Sequence, residues 1–198
     1  MPVTLFYTSS GQKFAASIIS RRCGALIARL SAAFLDRFTV KITLLAVGRL
    51  KEGPERALIV RYLERSRDLG KTLGFTGFDV VELPESRAAR AVDRKAEEGR
   101  LLLTRLEGTT FIALDETGQS PSSDDFARLH GNFRDSGTRN LAFVLGGADG
   151  LDSMVTKAAH SKLAFGTMTL PHQLARIVLS EQLYRAMTLL AGHPYHRA

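Results

Sequence analysis

The sequence predicts an α/β fold: a mostly parallel sheet with helices on both faces. Two observations carry that expectation. From Val40 onward, short β-branched or apolar runs alternate with helical stretches, the pattern of strands joined by helical crossovers. The chain is also long enough, at 198 residues and 44% hydrophobic, to bury one sizeable core and carry an appendage.

The elements follow in order. Residues 40–48, "VKITLLAVG", read as a buried first strand ending at a glycine. Pro54 is placed to open a helix that Gly70 closes. Residues 77–84 make a second strand and 86–106 a second helix, with Gly99 a weak spot inside it. Residues 109–118 form a third strand ending in a turn. Ser122, Ser123, Asp124 and Asp125 then suit a helix start through Phe133. "NLAFVLGGADG", residues 140–150, is a fourth strand running into a glycine loop. A short helix over 152–161, a fifth short strand over 162–166 and a long final helix from about Pro171 to Ala191 complete the chain.

The formal net charge is +7, from 27 basic and 20 acidic residues, which points to a polyanionic partner such as nucleic acid or phosphate. Cys23 is the single cysteine, so the chain can form no internal disulfide and no cysteine-based zinc site, and a reducing, cytoplasmic setting fits. Residues 1–39 stand apart. They hold Lys13, Arg21, Arg22, Arg29 and Arg37 against Asp36 alone, net +4 of the +7. Arginines interrupt every apolar run there, and the stretch is too short and too charged to span a bilayer. Three readings stand: an organelle-targeting peptide, an accessory helix, or translation from a start codon upstream of the true one. The third is preferred, because a well-formed strand begins at Val40 and valine codons serve as bacterial starts. The expected organisation is an extension over 1–39 and one domain over 40–198.

In parallel α/β sheets, ligands bind beyond the carboxyl ends of the strands. Three loops lie there: "LDETGQS" after the third strand, "GGADG" after the fourth and "FGTMTLPH" after the fifth. Gly146, Gly147 and Gly150 would serve as turn residues with positive φ. Neither Gly-x-Gly-x-x-Gly nor a Walker-type Gly-Lys-Ser/Thr is present, so classical NAD and ATP sites lose support. Three weakly polar loops in succession suit an adenine and a sulfonium better than a triphosphate.

The last helix shows a wide apolar face of Leu174, Ile177, Val178, Leu183, Tyr184, Met187, Leu190 and Ala191, extended by Ala175 and Leu179. Such a face belongs in the core or across a subunit interface. Glu181 and Arg185, four apart, can pair. In the tail, His193 and His196 lack a nearby carboxylate, so no metal site is expected. Its histidine, tyrosine and arginine rings can instead stack on exposed bases.

"FVLGGADGL", "LAFGTMTLPHQLARIVLSEQLYRA" and the terminal "HPYHR", in this order and spacing, resemble the ribosomal RNA large-subunit methyltransferase H family, a SPOUT-class family of pseudouridine N3-methyltransferases. "KITLLAVGRLKE" resembles that family's first strand and turn. The resemblance covers about Val40 to Ala198 and leaves residues 1–39 without a counterpart. Ala148 departs from the proline or serine that many members carry, while Asp149 keeps the usual acidic or polar character.

The resemblance implies a deep trefoil knot formed by the C-terminal segment, and a homodimer in which one subunit's tail completes the RNA site of the other. It implies S-adenosyl-L-methionine held by Leu114, by Gly146 and Gly147, and by Phe165, Gly166, Thr167, Met168, Thr169 and Leu170. The implied reaction is methylation of N3 of a pseudouridine, position 1915, in helix 69 of 23S rRNA, in the cytoplasm and on the assembled ribosome. His196 is the first candidate for the base that removes the N3 proton, ahead of His193. Tyr195 and Arg197 orient or contact RNA, and His172 is a candidate cap for the knot. A ribosome-associated RNA-binding protein of the same fold, without catalysis, is the alternative. It would need no cofactor pocket.

Overall fold

The computed structural model describes residues 39–193. The elements are β1 (Val40–Val47), α1 (Pro54–Leu73), β2 (Phe75–Leu83), α2 (Ala91–Arg105), β3 (Thr110–Gln119), α3 (Ser123–Asp135), β4 (Asn140–Leu145), α4 (Ser153–Ala158), β5 (Ser161–Leu163) and α5 (His172–Leu190). The five strands form one sheet in the order β2-β1-β4-β3-β5, and every pairing is parallel.

Alternation along the central strands divides the core in two. Ile42, Leu44 and Ala46 of β1 and Leu141, Phe143 and Leu145 of β4 face one layer, packed by Ile59 and Leu63 of α1, Phe126 and Phe133 of α3, and Leu179, Leu183 and Met187 of α5. Leu45 and Val47 of β1 and Ala142 and Val144 of β4 face the other, against Leu102 of α2 and Val155 of α4. A strand segment covered on both faces is apolar at successive positions, which explains the runs Leu44–Val47 in β1 and Leu141–Leu145 in β4. Each large aliphatic side chain so buried contributes about 1.5–3 kcal/mol.

Several boundaries differ from the sequence expectation: β2 begins at Phe75, two residues early, α4 ends at Ala158, and β5 ends at Leu163, which leaves 164–166 in the loop. The first helix runs through Gly70 and ends at Gly74, whose left-handed backbone (φ 82°) returns its amide to Gly70 O. Gly70 is a packing residue: a Cβ there would stand 2.8 Å from the Phe78 ring and 3.2 Å from Phe75. The second helix begins at Ala91, five residues later than expected. The preceding segment is held by side chains of that helix instead, with Ser86 N donating to Glu98 Oε1 (2.9 Å) and Arg94 donating to the carbonyls of Ala88 (3.1 Å) and Ala89 (2.9 Å). The capping at Ser122 is as expected, its hydroxyl accepting the Asp125 amide at 3.1 Å.

Helix α5 packs against both α1 and α3. Strand β5 stands at the far edge of the sheet, so residues 164–171 carry the chain back across the carboxyl ends of the strands to reach α5. That crossing builds the site.

Candidate functional site

An open cavity of about 700 Å³ lies at the carboxyl ends of β3, β4 and β5, within the range of roughly 300–1,000 Å³ usual for small-molecule pockets. Of the nine residues expected from sequence to hold a cofactor, seven line it: Leu114, Gly147, Phe165, Gly166, Met168, Thr169 and Leu170. Gly146 is not in the lining and packs against the backbone of Gly150 and Leu151. Thr167 shares the loop without lining the cavity. Tyr195, His196 and Arg197 lie outside the described residues.

The β4 loop is built by close approach. Neither Gly146 nor Gly147 has positive φ; in this loop only Gly150 does, at 82°. This corrects the turn reading for Gly146 and Gly147, while Gly150 keeps it. A Cβ on Gly146 would sit 2.6 Å from the carbonyl carbon of Gly150, and one on Gly147 would sit 3.1 Å from Glu98 Oε2 and 3.2 Å from Val47. The loop closes on itself through Gly150 N to Gly147 O, 3.0 Å. From α2, Arg94 grips it with two bonds to the Asp149 carboxylate, 2.7 and 3.0 Å. The Arg94 hydrogen bonds hold the Asp149 carboxyl below the usual carboxylate range.

The β3 loop is an excursion within the strand. Leu114 and Gln119 both register with Leu163 of β5, so residues 115–118 bulge out of the ladder. Asp115 shapes the bulge by accepting the Thr117 amide (2.9 Å) and hydroxyl (2.5 Å). Burial pushes the Asp115 carboxyl up, but the Thr117 bonds together with Lys162 and Lys95 outweigh it and leave it below the usual range. A Cβ on Gly118 would meet the backbone of Leu163 at 2.6 Å.

The β5 loop is more lightly held, by Ala164 N to Gln119 O (2.8 Å) and Gly166 N to Ser120 Oγ (3.2 Å). Met168 is 81% exposed at its rim. His172, in the first turn of α5, lines the cavity as well.

Sequence reasoning missed Arg176, the largest fully buried side chain. It enters from α5 and donates to Val47 O (2.7 Å), Gly48 O (2.8 Å) and Glu82 Oε1 (2.9 Å), pinning the helix to the carboxyl ends of β1 and β2. Burial pulls its basicity down, opposed by Glu82. The apolar-face expectation for α5 holds for Leu179, Leu183, Tyr184 and Met187, which are buried, while Leu174 stays 47% exposed. Glu181 and Arg185 pair at 2.8 Å. Sequence also passed over Arg94, Lys95 and Glu98, which read as an ordinary charged helix face. Gly99 was the available signal, since a helical glycine marks a close approach, here to Asp152 at 3.0 Å from a Cβ it lacks.

A second cavity of about 260 Å³ opens between α1 and β2, floored by Leu44, Leu63 and Phe78 and bordered by Arg176. None of the expected site residues reaches it. Among the described residues, no cluster of three or more His, Cys, Asp or Glu side chains is placed to hold a metal, and no helix is long and apolar enough to cross a membrane.

A family model described as "Predicted SPOUT methyltransferase" matches residues 40–196. The "Ribosomal RNA large subunit methyltransferase H" of Xanthobacter autotrophicus is 52% identical over 160 residues, covering 80% of this chain and 100% of that protein. The protein of the same name from Rhizobium meliloti is also 52% identical, with the same coverage of both chains. Among solved structures, a probable methyltransferase from Bordetella pertussis Tohama I is 17% identical over 79% of this chain and 99% of that one, with a TM-score of 0.44, too loose a likeness to bear on the site.

Proposed function

The chain belongs to the SPOUT methyltransferase family, and from that membership we propose that it methylates ribosomal RNA of the large subunit. The proposed reaction uses S-adenosyl-L-methionine and takes place at N3 of a pseudouridine in helix 69 of 23S rRNA, on the assembled ribosome in the cytoplasm. The observation that carries this reading is the cavity at the strand ends, to which three separate loops contribute the residues expected for the cofactor. The names of relatives at 52% identity support the RNA substrate.

The residues present suit such a cofactor. Leu114, Phe165 and Leu170 offer apolar surface to an adenosine, and the β4 loop adds Gly147 to the lining. Asp115 and Glu116 place carboxylates on a wall that would face a sulfonium or ammonium. When bound, the cofactor supplies an electrophilic methyl carbon, and the bond formed to N3 replaces the bond to sulfur. The protein's contribution is positioning of the two partners in line and acceptance of the N3 proton. His196 is the proposed base, with Tyr195 and Arg197 orienting the pseudouridine.

The domain performing this chemistry is residues 40–198, with 1–39 as an extension. Its C-terminal segment is proposed to thread as a trefoil knot, an exception among protein folds. The working unit is proposed to be a homodimer, with support from the exposed Leu174 on α5.

The test is methyl transfer to ribosomes from cells lacking the modification, with the product base mapped by mass spectrometry. The reading expects a single methyl on N3 of a helix 69 pseudouridine, formed faster on assembled particles than on free rRNA. A methyl on any other base, or none with folded, cofactor-binding protein, would overturn it.

A further inference from the structure

Among the described residues, Lys95 is the only lysine or arginine that lines the large cavity. It stands on α2, half-buried. Two of the three acids lining the cavity have other partners. Asp149 gives both oxygens to Arg94, at 2.7 and 3.0 Å. Asp115 is engaged by the Thr117 amide and hydroxyl at 2.9 and 2.5 Å, and Lys162 donates to that same hydroxyl at 2.7 Å. Glu116, the remaining acid on the wall, is exposed. Among the described residues, no carboxylate comes within ion-pair distance of Lys95, although Asp115 and Asp149 both feel its charge.

The backbone beneath Lys95 is well anchored. Arg94, the residue before it, ties α2 to Asp149 and to the carbonyls of Ala88 and Ala89. A half-buried cation on an anchored stretch of helix, close to carboxylates but in ion-pair contact with none of them, is favourably placed to meet an anion that a ligand brings. The Arg94–Asp149 pair keeps the loop's own acid from filling that role.

We propose that Lys95 is the anion subsite of this cavity and takes an oxyanion of the bound ligands. That oxyanion is either the carboxylate of the cofactor's amino-acid tail or a backbone phosphate of the RNA beside the target base. The inference rests on the methyltransferase reading above and deepens it by assigning a residue to one chemical class of contact.

Two full-length variants test it: Lys95→Met, which keeps a flexible apolar stem and removes the charge, and Lys95→Arg, which keeps the charge. Each is titrated with S-adenosyl-L-methionine and with 5′-methylthioadenosine, which lacks the amino-acid tail. Each is also assayed for the KM of ribosomal substrate against salt. If the carboxylate is the partner, Lys95→Met weakens the cofactor roughly tenfold or more while leaving methylthioadenosine unchanged. If a phosphate is the partner, both nucleosides bind as before, KM for the ribosome rises, and its logarithmic salt slope falls by about one. In either case Lys95→Arg restores most of the loss.

Unchanged binding and unchanged KM in Lys95→Met would overturn the inference, and so would an equal loss for both nucleosides, which signals a disrupted cavity. Failure of the parent protein to bind the cofactor would instead overturn the methyltransferase reading itself.

Discussion

The loops after β4 and β5 face each other across one cavity and are built on opposite principles. In the β4 loop the backbone is packed so closely that a single methyl group on Gly146 would lie 2.6 Å from Gly150, and a bidentate arginine locks the next acid in place. The β5 loop is held near its start by two of its amides, one on the Gln119 carbonyl and one on the Ser120 hydroxyl, and its Met168 stands 81% in solvent. One wall is a fixed template and the other an adjustable cover. A methyl-transfer site gains from that division, because alignment needs a rigid reference while entry and release need a part that gives.

The largest expected effect comes from breaking the framework behind both walls. Arg176→Met would leave Glu82 and the carbonyls of Val47 and Gly48 without their buried donor, and should cost about 3–5 kcal/mol of stability in urea unfolding. Acid should weaken the core at a different point, where His130 packs against Phe126 and Phe143. His130 is fully buried, its Nδ1 bonded to Phe126 O at 2.8 Å, and burial lowers its pKa to about 4 from 6.5. A base with depressed folded pKa stabilises fully above the unfolded value. That stability is therefore lost as pH falls from about 6.5 through about 4, with a span of about 3 kcal/mol. Unfolding free energies measured across that range should slope for the parent protein and flatten for His130→Phe.

Gly146→Ala tests the rigid wall directly. Backbone stands on the other side of the contact, so the loop must shift, and the expected cost is about 1–3 kcal/mol together with loss of cofactor binding in calorimetry. Met168→Ala tests the adjustable wall and should be the mildest, within about 0.5 kcal/mol in thermal unfolding, with its effect confined to the cofactor dissociation rate. If Met168→Ala destabilised as much as Gly146→Ala, the contrast between the two loops would be lost.

Much of the fold was legible because it depends on local pattern. Apolar runs at 44–47 and 141–145 fit strands covered on both sides, and Ser122 announces its helix through a bond three residues away. Three features were not legible because their causes are distant in sequence. Arg176 looks like a surface arginine until Glu82, 94 residues earlier, is brought against it. Residues 86–90 have helical composition, yet Glu98 and Arg94 capture their backbone groups in an extended path. Gly146 and Gly147 looked like turn glycines, and only the tertiary contacts show them to be packing glycines. Within the site, the three loops were legible from their order after the strands. The charged residues on α2 that support them were not, because a run such as Asp93 to Glu98 is indistinguishable from a solvated helix face until the fold places it against the glycine loop.

Calorimetric titration of S-adenosyl-L-methionine into the full chain, beside a Gly147→Arg variant whose fold is checked by circular dichroism, tests the central claim most directly. The account predicts one cofactor per cavity in the parent protein and no binding in the folded variant. A folded parent that binds nothing, or a folded variant that binds as well as the parent, would contradict it.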